Sequence, residues 1–226
     1  MKYVIGNWKA NNTLDESLQW IKIFIIELQK NQTLKKKIEQ EISVVICPPF
    51  PHLYPIKQKL EGFRNIFLGA QDISSVEKGT YTGETTALNL QGLIQFAIIG
   101  HSERKKNFHE NEQMTSLKLQ LANKYGIKPF YCINNLDGII SPLIEFICWE
   151  PPESISSGDG KGNFKSLADI LKFKKMLNLP NSHFIYGGSV NENNIKEYVV
   201  SDEIEGFLIG GASLDPYRFL HIIEHS

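Results

Sequence analysis

Eight short apolar runs recur along this chain, and mostly helical segments separate them. The runs begin at Tyr3, Ile42, Ile66, Phe96, Pro129, Phe146, Phe184 and Gly206. Strands that alternate with helices pair in parallel, because a helical crossover returns the chain to the same end of the sheet. Eight such units in 226 residues predict a closed (β/α)8 barrel, α/β in class, with residues 1–226 forming a single domain. No linker, composition break or low-complexity tract interrupts the alternation. The fifth crossover is expected to be short. It has only the residues between Asn135 and Phe146, with Gly138 and Pro142 among them, which leaves room for a turn or two of helix.

Within this frame Thr13 reads as the N-cap of a helix carrying Leu14, Leu18, Ile21, Ile25 and Leu28 on one stripe. Pro48-Pro49 stop the second strand, and Pro55 can open the next helix. Residues 110–125 are helical by propensity, with Met114, Leu117, Leu121 and Tyr125 along one face. Further helices are expected at Leu167 to Leu177, near 193–200 and near 215–224. The Lys35-Lys36-Lys37 cluster reads as a solvated helix end. Residues 71–84, QDISSVEKGTYTGE, form a long polar loop of a kind that is usually functional inside a compact domain.

A formal charge of −1 argues against nucleic acid or an anionic membrane as the main partner. No apolar stretch approaches the ~18 residues of a membrane span, and residues 1–10 lack a signal-peptide pattern. Cys47, Cys132 and Cys148 have apolar neighbours and no CxxC spacing. They read as buried free thiols of a reducing cytoplasm, and they point to no metal.

The chemistry concentrates where strands end. The run Phe146 to Trp149 is apolar on both faces and stops at a single carboxylate, Glu150. Pro151-Pro152 and a Ser- and Gly-rich segment reaching Gly162 follow it. Proline fixes φ at one end and glycine frees the other, the composition of a lid with a stiff root; the alternative is an ordinary surface loop. The other strand ends offer Asn7 and Lys9, then His101 and Glu103, then two glycine turns, Gly187-Gly188-Ser189 and Gly210-Gly211-Ala212. Barrels often bind phosphate on the loops after strands seven and eight. Singly, each feature also fits a turn, a structural histidine or a surface lysine. Their placement on one barrel face favours a phosphate-ester active site.

The segments GNWKANN (6–12), IIGHSERK (98–105), WEPPE (149–153), YGGSV (186–190) and IGGASL (209–214) resemble the triosephosphate isomerase family, in its order and spacing. The length and the EPPE lid root are similar to its shorter subgroup. The resemblance implies a TIM barrel that interconverts dihydroxyacetone phosphate and D-glyceraldehyde 3-phosphate without a cofactor. It implies Glu150 as the base, His101 as a neutral electrophile, and Lys9 as positive charge beside enediolate and phosphate. Asn7 would contact the substrate, and Glu103 would orient the catalytic groups. Backbone N–H groups of Ser156, Ser189, Gly210 and Gly211 would hold the phosphate. The loop 71–84 would dock on a second subunit, with Tyr81 near its tip and Thr82 reaching the residues around Asn7, giving a homodimer or tetramer.

This chain departs from the family pattern at Ser156, where glycine is usual, and at Glu153, where longer members carry tryptophan. Asn134-Asn135 and the tail 158–163 are also unusual. None of these removes a catalytic group. Two other readings are a different phosphosugar isomerase on the same fold, and a catalytically dead barrel retained for binding. GNWK with GHSER weighs against the first, and the presence of Lys9, His101 and Glu150 against the second.

Overall fold

A computed structural model describes residues 1–138, 144–152 and 164–226. The strands are β1 (Lys2–Asn7), β2 (Ile42–Cys47), β3 (Ile66–Ala70), β4 (Phe96–Ile99), β5 (Lys128–Ile133), β6 (Phe146–Trp149), β7 (His183–Tyr186) and β8 (Gly206–Ile209). Each pairs in parallel with the next, and β8 returns to β1 with Gly206 opposite Tyr3, closing the barrel. Around it lie α1 (Leu14–Lys30), α2 (Gln32–Gln40), α3 (Leu53–Leu60), α4 (Ala87–Leu90), α5 (Ser102–Asn107), α6 (Glu112–Lys124), α7 (Leu167–Leu177), α8 (Ile195–Tyr198) and α9 (Pro216–His225). Between β5 and β6 the described residues include only a 3₁₀ turn, Leu136–Gly138, in place of a full helix. Among the described residues no helix is long and apolar enough to cross a membrane.

The strand period of two sorts the core into two layers. Ile5, Val45, Phe96, Ile98, Phe130, Cys132, Phe146, Cys148, Ile185 and Leu208 fill the barrel, while their alternate neighbours pack outward under the helices. The three cysteines are free and buried, as expected. The same alternation carries the inward face past the ends of the strands. Asn7 continues the line of Tyr3 and Ile5, and Glu150 continues that of Phe146 and Cys148. Both reach the C-terminal mouth of the barrel.

The expected stripe of α1 packs inward except at Leu14, whereas α6 presents a different face from the one expected. On α1, held at its start by reciprocal Thr13 and Glu16 bonds of 3.3 and 2.7 Å, the buried residues are Ser17, Trp20, Ile21, Phe24 and Leu28, while Leu14 is exposed. Trp20 stacks on Phe24 and donates to the Ser213 carbonyl at 3.1 Å, so the two large rings fix the rotation of the helix. On α6 the buried residues are Thr115, Lys118, Leu119 and Ala122, and Leu117 is exposed. The helix turns to bury an ammonium because Lys118 meets Asp72 and Glu110 there. The lysine cluster 35–37 is not a helix end but the middle of α2.

Candidate active site

Lys9 follows the end of β1 and takes a left-handed φ of 54°. That backbone costs a lysine about 1–2 kcal/mol, so it needs support. The Lys9 N–H donates to Asn7 Oδ1 at 3.1 Å. From the end of β3, the Gln71 amide donates to the Lys9 carbonyl at 2.8 Å and to the Cys47 carbonyl at 2.9 Å. The ammonium so placed forms an ion pair with Glu103. A Cβ added to Gly210 would lie 3.3 Å from Lys9 Cε, so the lysine stem lies directly against the turn after β8.

His101 is the N-cap of α5. It is reached through Gly100 at φ +72°, where a Cβ would meet Thr115 Cγ2 at 3.2 Å and the Cys132 carbonyl at 3.3 Å. Glycine is required there. The N–H of Glu103 donates to His101 Nδ1 at 3.2 Å. An acceptor nitrogen carries no proton, so the ring's hydrogen sits on Nε2, which meets Glu150 Oε1 at 2.9 Å. The other carboxylate oxygen, Oε2, accepts the Ser102 N–H at 3.0 Å. His101 and Glu150 are both buried.

Burial opposes ionisation of Glu150. The His101 ring and the Ser102 N–H outweigh it and hold the carboxyl below its ordinary range. For His101, burial disfavours the cation and the neighbouring Glu150 charge favours it more strongly, pulling the ring's pKa up. The Glu103 N–H limits that pull, because an imidazolium would set a second N–H against it at Nδ1. With Nδ1 held as an acceptor, the ring presents its Nε2–H to Glu150.

On the opposite rim Ser189 also has a left-handed φ, 52°, and its carbonyl accepts the side-chain amides of Asn191 and Asn194 at 3.2 and 3.1 Å. Gly210 and Gly211 open a 3₁₀ turn after β8. The structure thus joins Asn7, Lys9, Glu103, His101 and Glu150 at one mouth, with Gly210 against Lys9 and Ser189 at the end of β7. Ser156, Glu153 and the 158–163 tail lie outside the described residues. Sequence reading did not single out Gln71, Asn191 or Asn194. Gln71 was detectable only as the first polar residue after a strand. Within this mouth, among the described residues, no three donor side chains converge as a metal site.

A buried carboxylate beside a neutral N–H donor, with a lysine on the same face, suits proton transfer next to a carbonyl. Comparison with known proteins agrees with that chemistry. The profile of the family described as triosephosphate isomerase matches residues 2–138 and 145–226. A triosephosphate isomerase of Dehalococcoides mccartyi is 35% identical, the match covering 99% of this chain and 95% of that protein. One of Mesomycoplasma hyopneumoniae is 34% identical over 100% of this chain and 99% of its own length. Another, of Trichormus variabilis, is 33% identical over 98% of each.

Proposed function

The chain belongs to the triosephosphate isomerase family, which interconverts dihydroxyacetone phosphate and D-glyceraldehyde 3-phosphate in glycolysis and gluconeogenesis, and we propose that Glu150, His101 and Lys9 carry this reaction. Glu150 takes the proton from the carbon beside the carbonyl, and an enediolate forms. His101 gives its Nε2–H to the carbonyl oxygen as negative charge develops there and takes the proton of the neighbouring hydroxyl back onto Nε2, so the ring ends neutral and the carbonyl has moved one carbon along. Glu150 then returns the proton to the neighbouring carbon. Its carboxylate rests on His101 and the Ser102 N–H, so it trades those bonds for the substrate carbon. Lys9 supplies charge to the enediolate oxygens and the phosphate, Asn7 contacts the substrate, and Glu103 sets the ammonium's position. The phosphate lies on backbone N–H groups of Ser189, Gly210 and Gly211. Ser156 is assigned to the same group by its motif alone.

The observation that carries this reading is the connected run of side chains across the barrel mouth: Lys9 paired with Glu103, whose N–H binds His101, which binds Glu150. Glu150→Gln keeps the shape and deletes the base. In a coupled assay free of host isomerase, kcat should fall by roughly 10²–10⁴. An active variant would sink the assignment.

We also propose that the whole chain acts as one catalytic domain and assembles as a cytoplasmic homodimer through loop 71–84. Tyr81 near the loop's tip is half exposed, leaving part of an aromatic ring for a second subunit to cover. Three buried free thiols suit a reducing compartment. Sedimentation showing a fully active monomer would refute the dimer.

A further inference from the structure

We propose that the last turn of α9 is a transition-metal chelating site formed by His221, Glu224 and His225, binding one borderline divalent ion such as Zn²⁺ or Ni²⁺. Residues three and four apart share one face of a helix. Each of the three offers a ligand atom, and these atoms lie within 4.8 Å of one another. The imidazole rings face each other with centroids 4.2 Å apart. His225 Nδ1 lies 2.8 Å from the His221 carbonyl, which can only accept. That bond puts the hydrogen on Nδ1 and leaves the Nε2 lone pair for a metal, the way ligating histidines are usually oriented. Asn31 donates to Glu224 Oε1 at 3.1 Å, which orients the carboxylate and leaves Oε2 open. Imidazole and carboxylate together suit Zn²⁺ and Ni²⁺ better than Mg²⁺ or Ca²⁺.

Position adds to this. The turn ends α9, where the helix dipole favours a cation. The Lys37 ammonium donates at 2.8 Å to the Glu224 backbone carbonyl rather than to its carboxylate, which it leaves to the metal. Barrel helices run opposite to their strands, so this turn lies at the bottom face, away from the catalytic mouth. The ion would be structural, stapling the end of α9 near Asn31 at the junction of α1 and α2.

The test is calorimetric titration of tag-free protein with ZnCl₂ and with NiCl₂, alongside thermal melting. One ion per chain is expected, with a melting temperature raised by metal. His221→Ala and His225→Ala should each weaken binding by about 10- to 100-fold or more, on the scale of lost metal-site partners. Glu224→Gln should cost less, and metal-free isomerase activity should be unchanged in all three. Absence of saturable binding, or an unchanged affinity in the His221→Ala/His225→Ala double variant, would overturn the assignment.

Discussion

Replacing Lys118 with methionine tests how the base of the loops at the barrel mouth is held. The Lys118 side chain is only 2% exposed, yet it donates to Asp72 Oδ1 and Oδ2 at 2.7 and 2.8 Å and pairs with Glu110. Arg104, from the helix that His101 caps, bridges the same two carboxylates at 2.8 Å to each. In the variant, Arg104 alone faces two buried carboxylates. Breaking a buried pair by removing one partner costs about 3–5 kcal/mol. For a chain of this size that is a fall of about 6–20 °C in Tm at fixed protein concentration, taking 2–4 °C per kcal/mol.

The pH dependence separates this account from simple loss of packing. Burial already lifts Asp72 to about 6 against the downward pull of Lys118 and Arg104. Burial also pushes Glu110 up, but Lys118 and Arg104 more than compensate and hold it low. Without Lys118 both carboxyls rise in the folded state only. The folded variant then binds protons more tightly than its unfolded chain, so the deficit shrinks as pH falls. One extra bound proton over two pH units recovers about 2.7 kcal/mol. Urea unfolding of both proteins at pH 7.5 and pH 5.5 reads this directly. A deficit below about 1 kcal/mol, or one equal at both pH values, refutes the reasoning.

Gln71→Met should free the Lys9 carbonyl from its clamp and lower kcat/KM by roughly 10-fold, the equivalent of about 1.4 kcal/mol, while the fold persists; unchanged kcat/KM would show that Asn7 alone holds the lysine. Gly100→Ala places a Cβ at φ +72° and 3.3 Å from the Cys132 carbonyl. Its denaturant midpoint should report a loss of about 1–2 kcal/mol or more, with kcat reduced as His101 tilts; a variant as stable and active as the parent would contradict the strain argument.

Much of the fold was legible because it rests on short-range pattern. β6, β8 and α7 have the limits read from the sequence, since an apolar run ending at a polar or glycine residue defines a strand locally. Glu150, Asn7 and His101 were legible for the same reason: a polar residue at or just past the end of a buried strand emerges at the mouth of the barrel. The face of α6 was not. A lysine in a helical stripe reads as surface, and Met114, Leu117 and Tyr125 offered a plausible apolar alternative. Lys118 is buried only because Asp72, 46 residues away, and Glu110 arrive at the same spot and compensate its charge. Gln71 is similar, since nothing in its neighbourhood says that its amide spans to Lys9. The sequence alone determined the strands, their alternation and the polar residue at each strand end, which neighbours along the chain specify. Tertiary structure decided which polar groups are buried and which rotation each helix takes. Desolvating a charge is favourable only where distant segments bring its partners within hydrogen-bonding distance.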